Sequence, residues 1–201
     1  MPATAVEICN MALARIGVGQ RISALDDPSE AAIQCATFYQ QALEQALSAA
    51  MWSFATKRYA LGVSSIDPPA EWFYRYSYPA DCLFARFIED GRRVRREDES
   101  IPFSVEGDGT TAGKSILCDQ PDAILVYTWN VSNPVLFTPW FVDAFAWLLA
   151  AEIAMPLSVA LAIEQTARQR WMMARDEAIT TGFREGTPDV PPESEFITVR
   201  S

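Results

Sequence analysis

The chain has 201 residues, half of them hydrophobic and 11% aromatic, which is enough to bury a sizeable core and excludes a largely disordered polypeptide. A formal charge of −10 argues against a surface built to grip nucleic acid tightly, and the absence of histidine excludes, within one chain, Ser-His-Asp and Cys-His catalysis and histidine-ligated metals. The same charge suits a surface along which DNA slides without adhering.

Thr4-Ala5-Val6-Glu7 is a capping box, and Ala5, Ile8, Cys9, Ala12, Leu13 and Ile16 mark an apolar face that Gly17 ends, so a first helix runs from about Thr4 to Ile16. The loop from Val18 to Asp26 carries Gly19 and the apolar plugs Ile22 and Leu25, and lets this helix fold back on the next as an antiparallel pair. The chain is organised around that second helix. Asp27 is its expected N-cap, with Pro28 at the first helical position and Glu30 three residues after the cap. Cys35, Tyr39, Ala42, Ala46 and Ala49 give it a buried face, and Gln34, Thr37, Gln41, Glu44, Gln45 and Ser48 a wet one. Near Met51 it gives way to Trp52-Ser53-Phe54-Ala55-Thr56-Lys57-Arg58, a short strand or extended exit whose two large rings must pack against something.

Asp67-Pro68-Pro69 breaks the pattern and opens a β-rich section with the aromatic run Trp72 to Tyr78. Leu83 to Ile88 is a predicted strand, Asp90-Gly91 a hairpin signal and Arg92 to Arg96 the returning strand. Ile101 to Val105, Ser115 to Cys118 and Ala123 to Trp129 complete a small antiparallel sheet or sandwich. Thr138-Pro139 then caps a helix in which, from Trp140 to Met155, only Asp143 and Glu152 are charged. Such a helix belongs at the centre of a core; two acids would be costly in a membrane span. Pro156 separates it from a last helix beginning near Leu157, where Ala160, Ile163, Ala167, Trp171, Ala174 and Ala178 form a stripe of mostly small residues and Glu164 pairs with Arg168.

The predicted fold class is α+β: a bundle of about four main helices with an inserted small antiparallel β-domain and an extended C-terminal arm. The expected spans are 1–58 for the helical hairpin and its exit strand, 59–135 for the β-rich insert, 136–183 for the closing helices and 184–201 for the tail. The cysteines Cys9, Cys35, Cys82 and Cys118 show neither a CxxC spacing nor a disulfide framework and read as reduced packing residues. No secretory leader is apparent, which places synthesis in a reducing compartment.

Little in the chain suggests chemistry. Gly107-Asp108-Gly109 lacks the later glycine of a dinucleotide fingerprint and reads as a turn. Glu89, Asp90, Glu97, Asp98 and Glu99 are carboxylates that could in principle hydrolyse a glycosidic bond, although acids in hairpin loops are more often solvated surface. The basic run Arg92, Arg93, Arg95 and Arg96 reads as a partner-facing hairpin, with a salt-bridged edge or phosphate contact as alternatives. The tail ends in Phe196-Ile197-Thr198-Val199-Arg200, a strand-like arm that suits a partner's sheet edge, frayed disorder being the bland alternative.

Five groups of residues, in order, resemble one family. They are Ala12-Leu13-Ala14-Arg15-Ile16-Gly17; Ser29-Glu30-Ala31-Ala32 with Cys35, Phe38 and Tyr39; Trp52-Ser53-Phe54-Ala55; Tyr78-Pro79-Ala80-Asp81-Cys82-Leu83; and Leu136 to Ala144 with Ala150-Ala151-Glu152-Ile153-Ala154. Together they look like the tail tubular protein A family, the head-to-tail adaptors of short-tailed, podovirus-like bacteriophages, over about residues 3–183. The resemblance implies a twelve-subunit homo-oligomeric ring beneath the portal protein, joined below to the tail nozzle protein, with tail fibres as further neighbours and genomic DNA passing through the lumen without sequence-specific binding. It implies a virion protein of the phage neck, assembled in the host cytoplasm, with no catalytic residues, no cofactor, no metal and no membrane. The arm bearing Phe196, Ile197 and Val199 is then expected to dock on the portal. The alternatives are a carboxylate-based cell-wall-degrading activity carried on a tail component, and a plain intracellular oligomeric scaffold.

Overall fold

The first three α-helices each start where a side chain accepts from an otherwise unpartnered amide of the first turn. The computed structural model describes residues 3–89, 100–109 and 113–182. Helix α1 (Ala5–Arg15) carries the expected capping box: the Glu7 amide donates to Thr4 Oγ1 at 3.2 Å, and the Thr4 amide to Glu7 Oε2 at 2.7 Å. Gly17 follows at φ 79, a left-handed conformation that glycine adopts without steric cost. Helix α2 (Glu30–Ser48) is capped by Ser29, not by Asp27. The Asp27 carboxylate is already occupied, accepting from the amides of Ser23 and Ala24 and from the Ser23 hydroxyl, so it closes the preceding loop and leaves the cap to Ser29. Ala49, expected on the buried face, is exposed at the fraying end of the helix, whereas Leu43 and Leu47 are fully buried.

After α2 the chain makes a 3-10 turn at Ser53–Ala55 before strand β1 (Thr56–Ala60), so the exit is not one continuous strand. Strand β1 also reaches past residue 58 and belongs to the sheet, not to the bundle. The others are β2 (Tyr74–Ser77), β3 (Cys82–Ile88), β4 (Phe103–Gly107), β5 (Lys114–Cys118) and β6 (Ile124–Trp129). They form two antiparallel three-stranded sheets, ordered β1-β6-β3 and β2-β5-β4. Strand β3 finds its partner in β6, with register shifts between Cys82 and Phe84 and between Ala85 and Phe87. The predicted strand at Ile101 is displaced: Ile101 makes a single bridge to Ile88, and regular pairing starts at Phe103. The predicted return over Arg92 to Arg96 lies outside the described residues.

Helix α3 (Pro139–Ala154) has Thr138 as N-cap, accepting from the Phe141 amide at 3.3 Å, and Pro139 at its first position. Eleven of its sixteen residues are buried, and α1, α2 and α4 (Leu161–Gly182) all pack on it. Helix α1 therefore leans chiefly on α3, and its contact with α2 is narrower than a simple hairpin predicts. Helix α4 starts four residues later than expected, because Leu157 to Val159 form a turn in which Ser158 takes φ 58. Ala167, Trp171 and Ala178 of the predicted stripe are buried, but Ile163 stays exposed. No helix among the described residues is long and apolar enough to cross a membrane. The fold is α+β, as expected.

Two cores result, one inside the bundle and a smaller one between the sheets around Tyr76, Ile88, Ile116, Leu125 and Tyr127. Trp129 packs against both and marks the joint.

Candidate partner-binding surfaces

The aromatic exit from α2 and the start of α3 meet inside this frame. Trp52 and Phe54, from the turn after α2, pack edge-on against Phe141 of α3, each with ring centroids 5.0 Å away, and Phe137 lies 4.9 Å from Phe141. This is what the two rings of the exit pack against. The buried Trp52 indole donates to the Ala46 carbonyl at 2.9 Å, which fixes the turn on the end of α2. Arg15 at the end of α1 donates from Nη1 to the Asp143 carbonyl at 2.7 Å, pairs with the Asp143 carboxylate and lies 4.3 Å over the Trp147 ring. Burial lowers the Arg15 pKa while Asp143 opposes the shift, and the guanidinium stays charged. Cys9 and Cys35 touch across α1 and α2, and this contact together with burial pushes the Cys9 thiol up; all four cysteines are free.

At the joint, Asp81 accepts from Lys57 Nζ at 2.7 Å and from the Tyr127 hydroxyl at 2.8 Å, and Lys57 Nζ sits 3.9 Å from the Trp129 ring centroid. The Lys57 hydrogen bond and then that of Tyr127 hold the Asp81 carboxylate below its ordinary range. These groups are joined to one another within the fold, and a structural role accounts for them fully.

What remains for partners is surface. A groove of about 330 Å³ opens at one end of the bundle, lined by Met51, Trp52, Phe54, Trp140 and Ile179, with Arg58 also on its wall. Met51 is 47% exposed and Trp140 45%, although both are large and apolar. Val135 and Leu136, just before α3, are exposed as well. A second apolar surface lies on the β-region, in the loop between β1 and β2. There Val63 is 69% exposed, Phe73 77%, and Ile66 is exposed between them in sequence. This loop is tied down, since the Phe73 amide donates to Asp119 Oδ1 at 2.9 Å and Ser64 to the Arg75 carbonyl at 2.8 Å. An anchored backbone therefore presents solvent-facing apolar side chains, the combination expected of a recognition surface.

Of the residues singled out from sequence, Arg92, Arg93, Arg95, Arg96, Phe196, Ile197 and Val199 lie outside the described residues, as do Asp90, Glu97, Asp98 and Glu99. Glu89 is described, and it accepts from Arg58 Nε at 3.2 Å. Val63, Phe73 and Trp140 are surface residues that the sequence pattern does not single out. The signal available for Phe73 was the density of aromatics from Trp72 to Tyr78, which exceeds what one half-buried strand can cover.

No family model matches the chain, and no curated protein matches it.

Proposed function

We propose that this protein is a structural component of a phage virion: a head-to-tail adaptor that forms a homo-oligomeric ring between the portal and the tail nozzle and contributes to the channel through which the genome leaves. The reading rests on the resemblance of five ordered segments to the tail tubular protein A family, on which the twelve-fold ring and the identity of both partners also depend. One structural observation supports it most directly. Large apolar side chains are left exposed on both modules, Met51 and Trp140 at the end of the bundle and Val63 and Phe73 on the β-region, as a protein clamped between two others requires. The net charge of −10 adds to this, because a channel protein must not hold the DNA that passes it. Binding and conduit formation are its work, and no reaction is assigned to it. The C-terminal segment is the proposed portal contact.

The test is to mix the purified protein with a candidate portal ring and to view the product down its axis by electron microscopy. A collar of added density at the narrow end of the portal is the expected result, with the collar absent when residues 187–201 are deleted. A protein that stays free of the portal overturns the adaptor reading; a collar that survives the deletion overturns the role of the arm alone.

A further inference from the structure

Strand β1 is an edge strand. Strand β6 pairs along one side of it, and among the described residues no strand pairs along the other. Thr56 and Arg58, two residues apart and so on one face of β1, both line the apolar groove at the end of the bundle. Gly182, the last described residue of α4, lines the same groove. The chain therefore runs into its last 19 residues from the wall of a groove that has an open sheet edge beside it.

We propose that the groove and the free edge of β1 are the docking site of the chain's own C-terminal segment, with Phe196 to Val199 adding to β1 as a strand and sending alternate side chains into the groove. Strand addition to an exposed edge draws affinity from main-chain hydrogen bonds and specificity from pockets for every second side chain. Phe196, Ile197, Thr198 and Val199 are all residue types favoured in strands. The thirteen residues from Phe183 to Glu195 join Gly182 to Phe196, and a coil of that length reaches on the order of 20 Å, so Phe196 is tethered within reach of the groove wall on which Gly182 lies. A tether this short places the segment at an effective concentration in the millimolar range, so weak pairing suffices in cis. The groove, about 330 Å³, is at the small end of pockets that hold a ligand, which suits one or two apolar side chains. Charge agrees with this occupant: Glu193 and Glu195 precede Phe196, and Arg58 on the groove wall is 65% exposed, with guanidinium donors beyond the one given to Glu89. The inference does not rest on the adaptor reading. Where both hold, the groove is the place of the arm before a portal is met.

Hydrogen exchange at β1 tests it with no portal present. In the full chain the amides of residues 56–60 are expected to exchange at least about tenfold more slowly than in a chain ending at Gly186, and a peptide of residues 187–201 added to the short chain restores the protection. The full-length double variant Ile197→Asp with Val199→Asp should exchange like the short chain, and it carries the test if the truncation disturbs folding. Equal exchange in the full chain and the double variant overturns the proposal. Protection that grows with protein concentration also overturns it, because the arm would then belong to a second copy.

Discussion

The Arg86 guanidinium donates to the Ala50 carbonyl at 2.6 Å, so a side chain from the middle of β3 closes the end of α2. The same Nη2 reaches the carbonyls of Leu47 and Ser48 at 3.2 and 3.1 Å, while Nε donates to the buried Thr128 hydroxyl at 2.8 Å. The last carbonyls of a helix have no partners within it and carry the negative end of its dipole, and a cation there satisfies both. Burial lowers the Arg86 pKa, though not enough to discharge a guanidinium. One residue thus fastens the sheet to the bundle.

Replacing Arg86 by methionine, which keeps an unbranched apolar stem and removes every donor, should cost about 2 to 3 kcal/mol, the range for hydrogen bonds to a charged group together with carbonyls left unpartnered. Arg86→Lys should recover only part of this, because an ammonium cannot serve Thr128 and three carbonyls from one plane. Urea unfolding measures both, and the cost should appear as a lower midpoint at unchanged slope.

Asp81 gives the molecule an acid-sensitive joint. Its folded-state pKa is depressed by Lys57 and Tyr127, so as pH falls the unfolded chain takes up the proton first. The contribution of Asp81 is therefore complete above the unfolded carboxylate value of about 3.9, and is lost as pH falls below that toward the lower folded value. Asp81→Asn should lower stability at pH 7 and flatten the decline between about pH 4 and pH 2, as read from thermal midpoints across that range. A parallel downward offset at every pH would mean that the carboxylate charge plays no part.

Tyr39 offers the opposite sign. Its ring packs edge-on against Phe145 at 5.2 Å, but its hydroxyl is buried with no protein partner among the described residues. Burial pushes its pKa up and keeps it neutral. Removing an unpartnered hydroxyl while keeping the ring relieves its desolvation, so Tyr39→Phe should stabilise the protein by about 1 kcal/mol. A destabilised variant in the same urea titration would show that the hydroxyl does have a partner.

The helices were legible because their ends are local events. The Thr4–Glu7 box and Thr138–Pro139 each lie within four residues and declare themselves in sequence. Asp27 misled for a related reason: two good capping residues stood close together, and only the loop geometry shows which one Ser23 and Ala24 had already engaged. The long-range pairs were not legible. Arg15 and Asp143 are 128 positions apart, and Arg86 meets Ala50 across 36, so no periodicity connects them. The exposed side chains were harder still, because an aromatic residue that packs and one that faces solvent look alike in sequence. Phe73 and Tyr76 stand three residues apart in one run, one 77% exposed and the other fully buried.

That exposure leads to the prediction closest to function. Phe73 and Val63 contribute little to either core, and their loop is held by backbone hydrogen bonds that Phe73→Ser and Val63→Ser leave in place. The double serine variant should therefore unfold within about 0.5 kcal/mol of the parent, as surface substitutions away from caps and buried networks usually do. On the adaptor reading the arm serves the portal, and the β-region surface is assigned to the nozzle. The variant should then still add a collar to the portal ring, while nozzle addition to that collar falls by at least about tenfold, the loss expected when a central aromatic contact worth more than 1.4 kcal/mol is removed. Electron microscopy of the stepwise assembly reads both steps from one sample series. Normal nozzle addition by the variant would release this surface from the interface, and a lost portal collar would place the surface at the other end of the ring.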